Sequence, residues 1–121
     1  MNKRKTGDNY EQMAVHYMET EGYEIVERNY RCRFGEIDIV ARDHEGRRVT
    51  LVFAEVKYRS SLKFGSPFEA VDIKKQRIIN RTAEYYMKER NIDININIRF
   101  DVVGILGGEI RLIKNAFEGM S

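Results

Sequence analysis

The chain has 121 residues, of which 42% are hydrophobic and 33% are charged, a composition that fits one globular domain over residues 1–121. No apolar stretch approaches the roughly 20 residues that a membrane-spanning helix needs, so we exclude a membrane protein of that class. The basic N-terminal segment lacks the apolar run of a signal peptide, and the single cysteine, Cys32, cannot form an internal disulfide. These features predict a cytoplasmic protein.

The net charge is only +2, but the basic residues are unevenly distributed. Between residues 57 and 81 the only acidic residues are Glu69 and Asp72, against seven basic ones: Lys57, Arg59, Lys63, Lys74, Lys75, Arg77 and Arg81. Such a concentration of positive charge suits a polyanion such as nucleic acid. A solvated helix surface has a similar composition, so charge alone leaves both interpretations open.

The first half of the chain predicts one helix followed by three strands. Apolar residues recur at helical spacing over residues 8–21, with Asp8 as the N-cap and Gly22 as the stop. A strand is predicted over residues 23–30. The alternation in GEIDIVARD predicts a second strand with Ile37, Ile39 and Ala41 on one face. The nearly all-apolar run over residues 49–56 predicts a central strand covered on both faces.

The second half predicts one long helix and two further strands. Ser66, Pro67 and Glu69 form a helix-start pattern that predicts a short helical turn, and Asp72 is expected to cap a longer helix ending near Arg90. Its core-facing residues are predicted to be Ile78, Ile79, Thr82, Ala83, Tyr86 and Met87. Strict alternation over residues 94–102 predicts a strand, and a Gly-Gly turn leads into the last one, EIRLI. We therefore expect an α/β fold with the order αβββαββ, a mixed sheet flanked by helices.

Polar residues on the second and third strands form the candidate site. Glu55 and Lys57 share one face of the third strand because side chains alternate along it. In one hairpin register Asp43 pairs with Arg48 and Asp38 lies diagonal to Glu55, about 7–8 Å away. A shift of two residues puts Asp38 directly opposite Glu55, about 5 Å away. Both registers bring the two carboxylates together, whereas a slip of one residue would separate them.

Two carboxylates and a lysine in an apolar setting are costly to bury, so a compensating charge is expected. Mg²⁺ or Mn²⁺ would supply it, with Asp38, one oxygen of Glu55 and the backbone carbonyl of Val56 as ligands. The cation would act as a Lewis acid and lower the pKa of a bound water, and Lys57 would hold or help deprotonate that water. The alternative is a routine surface ion pair where the strands end.

At these residues the chain resembles the PD-(D/E)XK nuclease superfamily, whose active-site motif matches Asp38 and Glu55-Val56-Lys57. One departure is Ile37, which stands where that motif has proline. The blocks RNYRCRFGEIDIVARD, FAEVKYRSS, FGSPFEAVD, RFDVV and NAF also resemble those of the YraN family of small bacterial proteins, over nearly the whole length. The resemblance implies a restriction-endonuclease-like fold, similar to that of archaeal Holliday-junction resolvases.

The resemblance also implies what the protein acts on. It suggests a Mg²⁺-dependent deoxyribonuclease that hydrolyses phosphodiesters of DNA, with branched and single-stranded DNA as candidate substrates. A homodimer would suit cuts on both sides of a junction. Resolvases place a glutamate of the first helix near the metal, and Glu11 matches that position, although it would serve equally as the N3 carboxylate of a helix cap. Glu36 is either a supporting residue of the site or a solvent-facing strand residue.

Four residues are expected to contact nucleic acid. Lys75 and Gln76 follow the capped helix start, where the helix N-terminus and a lysine attract phosphate. Arg59 follows the motif directly, and Arg77 lies in the same basic segment. Plain surface polarity explains each of them as well. The runner-up function is therefore a catalytically inactive nucleic-acid-binding module of the same fold, and a third is a protein–protein adaptor.

Aromatic residues also lie among the arginines before the motif. Tyr30 and Phe34 stand among Arg28, Arg31 and Arg33, a mixture that is typical of nucleic-acid-binding surfaces. Core packing explains the aromatic residues equally well.

Overall fold

A computed structural model describes residues 3–119, with side chains from residue 9 onward except that of Phe64. The elements are α1 (Lys3–Thr20), β1 (Tyr23–Cys32), β2 (Gly35–Glu45), β3 (Arg48–Arg59), α2 (Ile73–Glu89), β4 (Asn97–Leu106) and β5 (Glu109–Phe117). A 3₁₀ turn (Leu62–Phe64) lies between β3 and α2. The order αβββαββ expected for a restriction-endonuclease-like fold is confirmed.

The five strands form one mixed sheet in the order β1-β2-β3-β4-β5. Strands β3 and β4, which α2 connects, are parallel, and the other neighbours are antiparallel. The helices cover opposite faces, since α1 packs on a cluster with Val52 and Ala54, and α2 on a cluster with Leu51 and Phe53. The central strand β3 is thus covered on both faces, as predicted. Among the described helices, none is long and apolar enough to cross a membrane.

The β2–β3 hairpin decides which residues meet at the candidate site. Gly46 adopts a left-handed conformation with φ of 64° in a two-residue turn, and Glu45 pairs with Arg48. The first of the two registers considered, with Asp43 paired to Arg48, is therefore wrong, because the two polar residues after Asp43 continue the strand. The alternative register, shifted by two residues, is confirmed by the pairing of residues 39–45 with residues 48–54.

Two details of the N-terminal half differ from the prediction. Helix α1 begins at Lys3, so Asp8 lies inside it and is not its cap. Ile37 packs with Val40 on the α2 side of the sheet, although strict alternation would place it with Ile39. The regular pairing with β3 ends at Ile39, so the alternation is interrupted near that point. The stop at Gly22 is confirmed.

The segment before α2 also follows the sequence pattern. Ser66 Oγ accepts a hydrogen bond from the Phe68 N–H, and Glu69 Oε1 accepts one from the Ser66 N–H, which forms a single turn. Asp72 caps α2, with Oδ1 accepting from the Lys75 N–H at 2.8 Å. Ile79, Thr82, Ala83 and Tyr86 are buried as predicted, whereas Ile78 is exposed and Met87 only partly buried.

The fourth strand starts later, and the fifth ends later, than the alternation predicts. Ile94 is 88% exposed, because Asp93 Oδ1 accepts from the Asn95 N–H and forms a turn there. Strand β4 begins only at Asn97. Strand β5 continues to Phe117, whose ring stacks on that of Phe100 with centroids 4.8 Å apart. Apolar packing thus extends the sheet into a segment where the sequence carried little signal.

A buried ion network that the sequence did not predict joins four strands. The Asp101 carboxylate accepts hydrogen bonds from Arg99 Nε at 2.8 Å, from the Tyr23 hydroxyl at 2.9 Å and from the Asn115 N–H at 3.0 Å. Arg99 Nη2 also donates to Asp43 Oδ2 at 2.9 Å. Asn115 has a positive φ of 53°, so Asp101 holds an irregular part of β5 in place.

We predict that Asp101→Asn lowers the free energy of unfolding by about 3 kcal/mol or more, because the change leaves the largely buried guanidinium of Arg99 partly unpaired. Glu109→Gln is the matched control, since Glu109 also pairs with an arginine two residues away. Its side chain is 49% exposed and that of Asp101 is fully buried, so the control should lose at most about 1 kcal/mol. Urea denaturation measures both, and equal losses would contradict the prediction.

Candidate metal centre

The hairpin register brings the carboxylates of Asp38 and Glu55 close together. Asp38 Oδ2 accepts a hydrogen bond from the Val56 N–H at 2.8 Å. Asp38 and Glu55 both line a cavity of about 20 Å³ with Glu36 and Lys75. A cavity of that size has room for about one water-sized particle. The convergence predicted from the sequence is therefore present in the fold.

The two oxygens of Glu55 differ in their partners. Oε1 lies 3.0 Å from Lys75 Nζ in an ion pair. Oε2 is buried and accepts no hydrogen bond from the part of the chain that the structure describes. A buried carboxylate oxygen without a partner is costly, so this atom is the one best placed to bind an added cation or donor.

The Asp38 carboxyl is held in an unfavourable environment for its charged form. Burial raises its pKa from 3.8 to about 6, and the hydrogen bond from the Val56 N–H only partly opposes that shift. The nearby carboxylates of Glu55, Glu11 and Glu36 contribute to the same rise. A cation between these groups would favour the ionised carboxyl, because it replaces repulsion with attraction.

Glu11 lies on α1 beside this pair of carboxylates. It is buried and accepts a hydrogen bond from Arg28 Nε at 3.0 Å. Because α1 begins at Lys3, Glu11 is not an N3 capping residue, and that interpretation is wrong. The preceding residue, Tyr10, stacks on Tyr58 with centroids 3.6 Å apart, which fixes α1 against the end of β3. Glu11 is thus a preorganised acidic neighbour of Asp38.

Lys57 lies beside Glu55 on an open groove between the end of β3 and the start of α2. The groove has a volume of about 320 Å³, and Arg59, Val71 and Asp72 also line it. Lys57 is partly buried and makes no hydrogen bond or ion pair with the described residues. Its ammonium group is therefore available to a molecule that occupies the groove.

Two of the four predicted nucleic-acid contacts have partners within the protein. Lys75 forms the ion pair with Glu55; burial lowers its pKa, but the hydrogen bond to Glu55 and the negative charges of Glu55 and Asp38 together raise that pKa above its usual value. Gln76 Nε2 donates to the Val71 carbonyl at 2.7 Å, which ties α2 to the preceding loop. Sequence reasoning missed both partners, because neither is a helix neighbour at i±3 or i±4.

Arg59 and Arg77 form no ion pair with the described residues. Arg59 lines the groove and donates to the Tyr58 carbonyl at 2.7 Å. Arg77 is exposed on α2. The positive charge of these two arginines is therefore available to a polyanion.

The available donors suit a hard divalent cation with few protein ligands. Within residues 9–119 no group of three or more His, Cys, Asp or Glu side chains is arranged to hold a metal. Glu36 is exposed and pairs with Arg31 at 3.1 Å. The donors are then Asp38, Glu55 and backbone oxygens, a set that matches Mg²⁺ because Mg²⁺ keeps several waters.

We predict that Asp38→Asn stabilises the metal-free protein near pH 7 by up to about 3 kcal/mol. The folded-state pKa is raised to about 6, so stability from Asp38 is present below about pH 4 and is lost as the pH rises through about 6. The asparagine cannot ionise, and its advantage should therefore disappear near pH 4. Thermal unfolding in EDTA measures it, with Glu109→Gln, an exposed glutamate outside the site, as the control. A destabilised Asp38→Asn near pH 7 would refute this account.

Comparison with known proteins places the chain in a family. The model of the uncharacterised protein family UPF0102 matches residues 10–105. A UPF0102 protein from Lachnoclostridium phytofermentans is 51% identical over 118 residues, covering 98% of this chain and 97% of the relative. One from Caldicellulosiruptor saccharolyticus is 47% identical over 123 residues, covering 97% of this chain and 100% of the relative. The chain therefore belongs to the UPF0102 family, which is the YraN family that its motifs resemble.

Proposed function

We propose that the protein is a metal-dependent endonuclease of the PD-(D/E)XK superfamily, which hydrolyses phosphodiester bonds of DNA with Mg²⁺ or Mn²⁺. The observation that carries this proposal is the buried Oε2 atom of Glu55, which lacks a hydrogen-bond partner among the described residues. It belongs to a carboxylate close enough to Asp38 to raise the pKa of that residue. Two such carboxylates repel each other, and a divalent cation would remove the repulsion.

Each residue of the pair has an oxygen that could hold the cation. Asp38 would use the oxygen that does not accept from the Val56 N–H, and Glu55 would use Oε2. The Val56 carbonyl would complete the protein ligands. Glu11 from α1, which the resemblance suggests as a further ligand, accepts from Arg28 and would add negative charge beside the cation. When bound, the cation supplies Lewis acidity and lowers the pKa of a water.

The surrounding basic residues would position the substrate. Lys57 borders the groove with its ammonium group available, so it would hold the attacking water and neutralise charge on the phosphate in the transition state. Lys75 would keep Glu55 in place through Oε1. Arg59 and Arg77 would contact backbone phosphates, which position a nucleic acid without reading its sequence.

The proposed reaction also has consequences for the substrate, the oligomeric state and the location of the protein. We expect the open groove to admit an extended strand, so the proposed substrates are branched and single-stranded DNA. A homodimer would allow two cuts across one junction, and the cytoplasm would give access to DNA.

A second candidate is a catalytically inactive nucleic-acid-binding module of the same fold. The observation that favours it is the ion pair between Lys75 and Glu55, because an ammonium group already neutralises part of the acidic pair. In that case Arg59 and Arg77 matter for binding, and Asp38 does not. The experiments below separate the two candidates.

Metal binding is tested apart from activity by thermal unfolding with Mn²⁺ or Mg²⁺. We expect the wild type to gain about 3 kcal/mol at a metal concentration a hundredfold above Kd. Glu55→Gln and Asp38→Ala should gain almost nothing, because each removes a ligand. Glu36→Gln should respond like the wild type, since Glu36 is exposed and paired with Arg31. Identical gains in all four proteins would place the metal elsewhere.

Cleavage is tested on duplex, single-stranded, flap and four-way DNA with Mg²⁺ or Mn²⁺. We expect metal-dependent cutting of at least one substrate, and a loss of about 10²-fold or more in Asp38→Ala, Glu55→Gln and Lys57→Met. Glu36→Gln is again the control. Undiminished cutting in these variants would indicate a contaminating nuclease, and salt-sensitive binding without cutting would favour the inactive module.

A further inference from the structure

A second pocket lies away from the acidic pair, where the β1–β2 turn meets α2. Its volume is about 390 Å³, and it is lined by Arg33, Phe34, Arg81, Glu84, Tyr85 and Lys88. We refer to these six residues as the aromatic–basic pocket. Neither the metal ligands nor the groove at Lys57 include any of them.

The aromatic rings of this pocket are surrounded by cations. The guanidinium carbons of Arg33 and Arg81 lie 4.8 and 4.6 Å from the centre of the Phe34 ring. The Tyr85 ring meets Phe34 edge-on at 5.7 Å. Both rings are only partly buried, so each keeps surface that a planar ligand can contact.

The positive charge of the pocket is not neutralised within the described part of the chain. Arg33, Arg81 and Lys88 form no ion pair there, and Glu84 is the only acidic residue of the lining. Other surface arginines do pair with carboxylates, as Arg111 does with Glu109. Three cations without ion pairs around partly exposed rings are the combination that attracts phosphate and stacks a base.

We propose that the aromatic–basic pocket binds single-stranded nucleic acid, with an unpaired base against Phe34 and Tyr85 and the flanking phosphates at Arg33, Arg81 and Lys88. A base within a duplex cannot offer its face to these rings, which favours a single strand. This inference deepens the proposed function and rests on it for the choice of DNA.

The turn that carries Phe34 has a fixed position relative to the acidic pair. A Cβ atom on Gly35 would lie 2.7 Å from Ile78 Cγ2, so the turn packs directly on α2. Phe34 directly precedes β2 and is four residues from Asp38, which corresponds to about 14 Å of extended chain. A single strand of only a few nucleotides, held by the pocket, would therefore reach Asp38.

The test measures the binding of a fluorescein-labelled thymidine oligonucleotide about 15 nucleotides long. Fluorescence anisotropy reports the binding, and EDTA is present so that no cleavage occurs. Arg33→Gln/Arg81→Gln should weaken binding at least fivefold and make the salt dependence shallower by about 0.7 per lost phosphate contact. The matched control is Arg47→Gln/Arg48→Gln, two exposed arginines at the opposite end of β2, which should bind like the wild type.

Phe34 variants separate stacking from charge. Phe34→Leu should weaken binding at least fivefold with an unchanged salt slope, and Phe34→Tyr, which keeps the ring, should retain binding. Circular dichroism verifies that each variant is folded. The inference is overturned if the wild type does not bind the oligonucleotide, if Phe34→Leu binds as the wild type does, or if both double variants lose affinity equally. Because EDTA prevents cleavage, this assay measures binding alone. If the wild type binds the oligonucleotide but cuts none of the DNA substrates in the cleavage experiment, the nuclease proposal is rejected and the proposed binding site is retained.

Discussion

The hydrogen bond from the Val56 N–H to Asp38 Oδ2 connects the β2–β3 pairing of the sheet to the candidate metal centre. Regular pairing of β2 with β3 ends at Ile39 and Ala54, and two residues further along β3 a side chain takes the place of the backbone acceptor. This bond holds Asp38 in a buried position beside Glu55. The fold thereby stabilises its sheet while holding two carboxylates together, and the raised pKa of Asp38 is the consequence.

Lys75 links the position of α2 to the charge of the same site. Its backbone N–H donates to the Asp72 cap, and its ammonium group binds Glu55. The first turn of α2 is therefore held next to the carboxylate pair. An ammonium group neutralises only one oxygen, and Oε2 of Glu55 stays without a partner among the described residues. A nuclease and an inactive module therefore differ in whether a divalent cation can share Glu55 with this lysine.

The sequence predicted the site better than the details of the fold around it. Asp38 and Glu55 converge in both hairpin registers that leave them on the same face of the sheet. The hairpin turn has two residues where the first register assumed four, and this difference did not affect the predicted convergence. The Asp101 network was missed because its partners are separated from it by as many as 78 residues, from Tyr23. The pairing of Lys75 with Glu55 was missed for a similar reason. Local patterns specify faces and caps, whereas buried charge pairs depend on which elements the tertiary fold brings together.

The basic stretch over residues 57–81 illustrates what a local charge count can and cannot indicate. The fold divides these cations among several environments: Lys57 and Arg59 border the groove, Lys75 is used within the protein, and Arg81 lies in the aromatic–basic pocket. Arg33, from outside the stretch, joins Arg81 at the same ring of Phe34. A polyanion would therefore meet two separate basic surfaces with an acidic pair between them. Under the proposed function, such an arrangement would hold a strand on both sides of a metal and keep acidic ligands next to that metal, which a uniformly basic surface would not do.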